Sequence, residues 1–139
     1  LGFVFQDFML LDGLSVRENI LVPRIIRQNV DKEGERYADQ LMELFGISHI
    51  RNKYPAEISG GERQRTAVAR SLINHPLMLL ADEPTGNLDS RTGQEIMCLF
   101  HELHEVGNTI VLITHDNGVA QEAERMIRIR DGHVDEVTA

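Results

Sequence analysis

The stretch from Ile58 to Asp89, ISGGERQRTAVARSLINHPLMLLADEPTGNLD, contains most of the functional signal in this chain. Ser59 is followed three positions later by Glu62, which is the form of a capping box at the start of an amphipathic helix. Gly60 and Gly61 fall in the first turn, although glycine weakens a helix by about 0.5–1 kcal/mol relative to alanine. They leave backbone N–H groups unobstructed at the positive end of the helix dipole, where an anion such as a phosphate could bind. An ordinary capped helix and a phosphate site both fit this pattern.

A short apolar segment, residues 77–81, follows this helix and leads into Asp82 and Glu83. Its composition is typical of a strand buried on both faces of a parallel sheet. Ligands of open α/β sheets bind at the carboxyl ends of the strands, and paired carboxylates there are costly unless a cation or a reaction uses them. A Mg²⁺ ion suits the first carboxylate, and a water to be activated suits the second. The alternative is a charged loop after a core strand.

Two further strands are predicted, and each ends in a polar side chain. The apolar residues 2–5 lead to Gln6, and the β-branched run at residues 109–114 leads to His115. A lone glutamine or histidine after a strand is usually structural. Because the carboxyl ends of parallel strands meet at one edge of a sheet, we expect these side chains and the acidic pair to form one constellation.

The remaining pattern predicts helices between these strands and a hairpin after them. A second capping box at Ser15 starts a helix that Pro23 should kink or end. Helical spacing also covers residues 31–45 and 90–107. An Asp-Gly pair at residue 131 predicts a hairpin that finishes the sheet.

Composition excludes several classes of protein. A net charge of −8 over 139 residues argues against a general nucleic-acid binder. No apolar run approaches the roughly 20 residues that span a bilayer. Cys98 is the only cysteine, so no intramolecular disulfide forms, and we expect it to pack within a helix. His101 and His104 lie three residues apart, but a solvated helix face explains them better than a metal site, because no third ligand is evident.

These motifs together resemble a known family. SGGE followed by RQR, then LLADEP, then GNLD, resembles the signature motif, Walker B strand and D-loop of ATP-binding cassette (ABC) ATPases, the nucleotide-hydrolysing subunits of ABC transporters. ADEPTGNLD and FVFQDFMLLDGLSVREN most resemble the bacterial lipoprotein-release, macrolide-export and cell-division branch. Several motifs in order across nearly the whole chain are far more specific than a lone glycine pattern.

The resemblance implies a fold and a division of the chain. The fold is α/β and P-loop NTPase-like, a partial ABC ATPase domain with a mostly parallel sheet, a helical subdomain and a C-terminal β-hairpin. Residues 1–139 would form the C-terminal part of one such domain. Within it, residues 8–75 would be the helical signature subdomain, and residues 1–7 and 76–139 the catalytic core portion.

The resemblance also implies roles for the residues at the strand ends. Glu83 would be the general base for the attack of water on ATP. Asp82 and Gln6 would hold Mg²⁺, and Gln6 would also contact the attacking water. His115 would contact the γ-phosphate and orient Glu83.

A second group of residues would act across a pair of subunits. Ser59, Gly60 and Gly61 would bind the γ-phosphate held by the phosphate loop of the opposite subunit, and Asp89 would face that subunit. Glu62 departs from the glutamine more common at its position. Its charge is unfavourable near phosphate unless its side chain turns back to cap Ser59, so we do not expect Glu62 to contact nucleotide.

The phosphate loop G-x-x-x-x-G-K-[ST] does not occur in these 139 residues. The only lysines are Lys32 and Lys53, and neither follows a glycine. Because the chain also opens directly on a strand at Leu1, we expect a fragment whose start has been removed. We further expect that this polypeptide alone neither binds ATP tightly nor hydrolyses it.

The expected function is that of an ATP-binding subunit of an ABC transporter, with ATP and Mg²⁺ as cofactors, which couples hydrolysis to transport across or out of the bacterial inner membrane. Its partners would be a second ATPase subunit and transmembrane permease subunits, with no nucleic acid, at the cytoplasmic face of that membrane. Residues 8–11 are either core or part of a groove for a short helix of the permease. Two alternatives stay open: an ABC ATPase with a signalling, translation or cell-division role, or a non-catalytic remnant that pairs with an intact subunit.

Overall fold

The computed structural model describes residues 1–138 and contains a three-stranded parallel sheet. The strands are β1 (Gly2–Phe5), β2 (Met78–Asp82) and β3 (Thr109–Ile113), in the order β1-β2-β3. Phe5, Asp82 and Ile113 lie in register as the last residues of the three strands. The predicted parallel sheet is therefore confirmed, and the residues that follow each strand emerge at the same edge.

Helices occupy the connections between these strands, and one short helix follows β3. They are α1 (Val16–Ile26), α2 (Lys32–Leu44), α3 (Gly60–Leu72), α4 (Ser90–Glu105) and α5 (Asn117–Ala120), with short 3₁₀ helices at Ser48–Ile50 and Pro55–Glu57. The capping boxes predicted at Ser15 and Ser59 are both present, because each serine and the glutamate three residues later exchange hydrogen bonds. The chain leaves α2 through Gly46, whose φ of +68° suits glycine.

Of the two outcomes predicted at Pro23, a kink or the end of α1, the second was wrong, because the helix continues through Pro23 to Ile26. A proline inside a helix costs about 3 kcal/mol through a lost hydrogen bond and a steric clash. Tertiary contacts offset this cost here. The next residue, Arg24, is buried and donates from Nε to the Ile73 carbonyl at 3.2 Å and from Nη1 to Asp31 at 3.3 Å.

Only one face of the sheet is buried, whereas the sequence pattern predicted burial of β2 on both faces. Leu79 and Ala81 are fully buried in the core with the apolar sides of α1, α2, α3 and α4. Met78 is 36 % exposed. The helices that contact the sheet, α3 and α4, pack against the same face, so the opposite face is open, with exposed Phe3, Phe5, Val111 and Ile113.

The predicted hairpin forms, but it does not finish the parallel sheet. Strands β4 (Arg125–Arg130) and β5 (His133–Thr138) pair only with each other, as a separate antiparallel sheet. Asp131 and Gly132 at the turn have φ of +49° and +78°, which is the pattern of a two-residue type I′ turn. Pairing within the hairpin satisfies only the backbone groups that face the partner strand, and within the described residues neither β4 nor β5 forms a ladder to β3.

The exposed side of α4 carries polar side chains. Cys98 is exposed, which corrects its expected packing role. His101 pairs with Glu122 at 2.9 Å, and His104 pairs with Glu124 at 3.4 Å. Within residues 1–138 no cluster of three or more His, Cys, Asp or Glu side chains could hold a metal ion, and no helix is long and apolar enough to cross a bilayer.

Candidate active site at the carboxyl edge of the sheet

Glu83 follows the last residue of β2 and has a left-handed backbone. Its φ is +45°, a conformation that costs a residue with a side chain about 1–2 kcal/mol. Two hydrogen bonds hold this turn: the Glu83 N–H donates to the Ile113 carbonyl at 2.8 Å, and the Gly86 N–H donates to the Glu83 carbonyl at 3.0 Å. Strained residues of this kind concentrate at functional sites, where the surrounding structure fixes them.

The Glu83 carboxylate receives three hydrogen bonds from the residues that follow β3. The Thr114 hydroxyl donates to Oε2 at 3.0 Å. The backbone N–H of His115 donates to Oε1 at 2.7 Å, and the His115 ring nitrogen Nδ1 lies 2.6 Å from the same oxygen. The structure thus brings together the acid and the histidine that the sequence placed at neighbouring strand ends. Thr114 was missed, although its position beside His115 was the available signal.

These contacts set the charge state of Glu83. Partial burial by itself would raise the pKa of its carboxyl, but the hydrogen bonds from the His115 backbone, the His115 ring and the Thr114 hydroxyl outweigh it and hold the pKa below its usual value. Glu83 is therefore an ionised carboxylate at neutral pH, which is the form that can accept a proton.

Gln6, at the end of β1, is held by an asparagine that the sequence analysis did not identify. Gln6 Nε2 donates to Asn87 Oδ1 at 3.2 Å, and Asn87 Nδ2 donates back to the Gln6 carbonyl at 3.2 Å and to Asp7 at 2.9 Å. A Cβ at Gly86 would lie 2.5 Å from Gln6 Nε2, so only glycine leaves room for this arrangement. The segment after Glu83 therefore fixes the position of Gln6, which follows the neighbouring strand β1.

The donor set at this edge suits Mg²⁺. Asp82 is exposed, and its carboxylate makes no hydrogen bond or ion pair within the described residues. Because Gln6 uses its amide nitrogen toward Asn87, its Oε1 is available as a second hard oxygen ligand. Mg²⁺ in nucleotide sites takes one or two such protein ligands together with phosphate and water oxygens, so a larger cluster is not required.

The start of α3 confirms the expected conformation of Glu62. Its Oε1 accepts a hydrogen bond from the Ser59 N–H at 3.0 Å, and the Ser59 hydroxyl accepts one from the Glu62 N–H at 3.2 Å. The hydrogen bond from the Ser59 backbone is the main cause that lowers the pKa of Glu62. The glutamate therefore turns back to cap the helix, and the exposed Ser59 lies at its tip.

The two glycines after Ser59 contact the segment that leads into α4. A Cβ at Gly60 would make ordinary contact with Leu88 at 3.4 Å, whereas a Cβ at Gly61 would lie 2.6 Å from the Thr92 methyl group. Gly61 is therefore required for helix packing as well as for an open backbone. Asp89 caps α4 by accepting from the Thr92 N–H at 3.4 Å, so it is held close to the tip of α3.

Gln64 joins α3 to the sheet edge, and the sequence analysis missed it. Its fully buried side chain donates from Nε2 to the Phe5 carbonyl at 3.3 Å and to the Pro84 carbonyl at 2.5 Å. These carbonyls stand next to Gln6 and Glu83. The side-chain amide of Gln64 on α3 therefore contacts the chain at the ends of both β1 and β2.

The structure places the predicted site residues in two groups. The first lies at the carboxyl edge of the sheet, and the second lies at the tip of α3 and the start of α4. Their members are Gln6, Asp82, Glu83 and His115 in the first, and Ser59, Gly60, Gly61 and Asp89 in the second.

Comparisons with known proteins show which family the chain resembles. The ABC transporter family model matches residues 1–86. Over 135 residues the chain is 46% identical to an uncharacterised ABC transporter ATP-binding protein of Thermotoga maritima, covering 97% of this chain and 58% of that protein. It is 44% identical to the ABC transporter ATP-binding protein YvrO of Bacillus subtilis, with 96% and 58% covered.

A macrolide export ATP-binding/permease protein, MacB of Azoarcus sp., is 47% identical over 133 residues, which are 96% of this chain and 20% of MacB. Among solved structures, the dimeric post-hydrolysis state of the ATP-binding cassette MJ0796 bound to ADP and Pi superimposes with a TM-score of 0.82 at 40% identity, covering 99% of this chain and 62% of that one. The chain thus spans less than two thirds of the length of these relatives. From the family match over most of its length, the chain belongs to the ABC transporter ATP-binding family.

Proposed function

We propose that this chain supplies the hydrolytic and signature residues of an ATPase that works as a pair of subunits and powers a bacterial membrane transporter. The observation that carries the proposal is the contact of Glu83 with His115, in which an ionised carboxylate and an imidazole from neighbouring parallel strands lie 2.6 Å apart at the ligand-binding edge. The relatives named above are ATP-binding proteins of transporters.

In the proposed reaction, Glu83 accepts a proton from the water that attacks the γ-phosphate. Asp82 and the Gln6 side-chain oxygen would hold Mg²⁺, which neutralises charge on the phosphates when it is bound. His115 orients Glu83 through its backbone N–H and ring, and its ring is 88% exposed and free to meet a phosphate from the solvent side.

The second group of residues acts on the nucleotide of the partner subunit. Ser59, Gly60 and Gly61 present an amide-rich helix tip, which is a suitable site for the γ-phosphate held by another chain. Asp89, fixed beside this tip, faces the same partner. ATP then binds both subunits at once and favours their association by mass action.

The permease is proposed to dock at a groove beside Gln6. An open groove of 410 Å³ is lined by Asp7, Phe8, Leu10, Asp12, Pro55, Ala56 and Arg63. Phe8 is buried, whereas Met9 and Leu11 are 59% and 50% exposed, so this segment contributes to both the core and the surface. Apart from Asp7, the lining residues fall in residues 8–75, the proposed helical subdomain. Occupation of the groove would place the chain on the cytoplasmic face of the inner membrane.

The experiment compares single variants in the full-length protein, meaning a polypeptide that also carries a G-x-x-x-x-G-K-[ST] loop. We expect Glu83→Gln to reduce ATP hydrolysis to a small residual turnover, while ATP-driven dimerisation, followed by analytical ultracentrifugation, persists. Ser59→Arg should block that dimerisation, because its bulk and length fill the helix tip. Normal turnover by Glu83→Gln would show that the assignment of the base is wrong.

Co-purification with a membrane permease tests the transport role separately. A stable complex with a permease is the expected result. An ATPase that dimerises and turns over but is recovered without any permease would instead favour the signalling or cell-division alternative.

A further inference from the structure

Thr114 contacts the proposed base directly. Its hydroxyl oxygen accepts a hydrogen bond from the Asp116 N–H at 3.0 Å and lies 3.0 Å from Glu83 Oε2. A hydroxyl has one proton to donate. Because the backbone N–H already occupies it as an acceptor and a carboxylate can only accept, that proton points at Glu83.

The two carboxylate oxygens of Glu83 are not equally occupied. Oε1 accepts from both the backbone N–H and the ring of His115, at 2.7 and 2.6 Å. Oε2 accepts only from Thr114. Each carboxylate oxygen has about two lone-pair sites, so Oε1 is saturated and Oε2 retains one free site.

We propose that Thr114 is a positioning residue that fixes the Glu83 carboxylate so that Oε2 is the atom that receives the proton of the attacking water. This inference rests on the function proposed above. In the step, the water oxygen bonds to the γ-phosphorus while the bond from that phosphorus to the bridging oxygen of ADP breaks. The proton of the water passes to Oε2, and ADP leaves with the electron pair of the broken bond.

The test uses isosteric and conservative variants of the full-length protein. Thr114→Val keeps the shape of the side chain and removes the hydroxyl, so kcat should fall by about tenfold to a hundredfold, the range for losing one hydrogen bond to a charged group. The KM for ATP should change by less than about twofold, because Thr114 holds the base and not the substrate. Thr114→Ser restores the hydroxyl and should recover most of kcat.

Thr109→Val is the matched control, since it makes the same substitution at the exposed other end of β3, and its kcat should equal that of wild type. If Thr114→Val lowered the melting temperature enough to compromise the assay, Thr114→Ala removes the same hydroxyl with less bulk and carries the same expectation. A kcat within twofold of wild type for these folded variants would overturn the proposal.

A double-mutant cycle separates positioning from a general structural effect. Adding Thr114→Val to Glu83→Gln should lower the residual turnover by less than twofold, because the carboxylate that Thr114 orients is gone. Independent, additive losses would overturn the positioning role. If Glu83→Gln itself retained full turnover, the proposed function would fail, whereas loss of turnover in Glu83→Gln with an unaffected Thr114→Val would reject only the role of Thr114.

Discussion

Two consecutive residues just after Gln6 have left-handed backbones, although neither is glycine. Phe8 and Met9 have φ of +63° and +54°. Arg70 on α3 holds them, because its guanidinium donates to the Phe8 carbonyl at 2.8 Å and to the Met9 carbonyl at 2.6 Å. The helix that begins with the signature residues therefore fixes the strained segment beside the proposed permease groove.

We expect Met9→Gly to be more stable than Leu11→Gly by about 1 kcal/mol. Both side chains are half or more exposed, and both substitutions incur the same entropic cost of about 0.5–1 kcal/mol for glycine. Only Met9 is relieved of a left-handed strain of about 1–2 kcal/mol. Urea unfolding of the two variants measures the difference, and equal losses would show that Met9 carries no strain.

Individual residues that follow strands or start helices could be predicted from the sequence. Gln6, Glu83 and His115 meet at one edge because each of them follows a strand of the same parallel sheet. The sequence analysis did not identify Asn87, Gln64 or Thr114. Their roles depend on distances between segments far apart in the chain, such as the 3.2 Å contact of Asn87 with Gln6. Residue type and spacing in the sequence do not predict such long-range contacts.

Among the elements, α4 is linked to the segment after α5 by two histidine–glutamate pairs. The carbonyl of Asn108 is the main cause that raises the pKa of His104, and the Glu124 carboxylate adds to it, as does the charge of Glu105. A group whose pKa is raised on folding favours the folded state below its unfolded value. That contribution is then lost as the pH rises through the folded pKa.

The expected result is a His104 pKa above the ordinary value of 6.5, read from the ring proton shifts in an NMR titration. Glu124→Gln should lower this pKa, because it removes a negative charge close to His104 Nε2. The stabilising contribution of His104 should accordingly be complete well below pH 6.5, decrease between pH 6.5 and the measured pKa, and be absent above that pKa. A titration midpoint at or below 6.5 in wild type would contradict this reasoning.

Element types and caps were predictable, since Ser15 and Ser59 carry the box pattern and the strands carry apolar runs. The exceptions have a common origin in tertiary contacts. Pro23 stays inside α1 because Arg24 is anchored in the core, and the hairpin forms a separate sheet whose strands pair only with each other. Local propensity is a weak prior wherever such contacts compete with it.

For the whole molecule, the open face of the parallel sheet is the main surface feature. Phe3 and Phe5 stack on it with ring centroids 6.0 Å apart, and the exposed Val111 and Ile113 lie on the same face across β2. Contiguous apolar surface of this kind favours association, whereas the net charge of −8 opposes it. The sequence predicted burial of this face and could not reveal that the helices of this chain cover only the other one.

The 139-residue chain is expected to self-associate as its concentration rises. The double variant Val111→Thr and Ile113→Thr should shift association to higher concentration, because threonine keeps the strand preference while adding a hydroxyl. Val106→Thr, at an exposed position that follows α4 and lies outside the sheet, is the control and should have no effect. Sedimentation velocity across a concentration series measures this, and a wild-type chain that stays monomeric would refute it.

Because β1, β2 and β3 end in register at one edge of the sheet, insertions and deletions are restricted to certain positions in the sequence. An insertion or deletion of one codon within residues 78–82 would turn every later side chain of the strand to the opposite face and carry Glu83 away from His115. Gly13, Gly46 and Gly107 lie in turns outside the strands, so extra residues there do not change the register of β1, β2 and β3. Evolution can therefore lengthen these turns while the strands keep a fixed count.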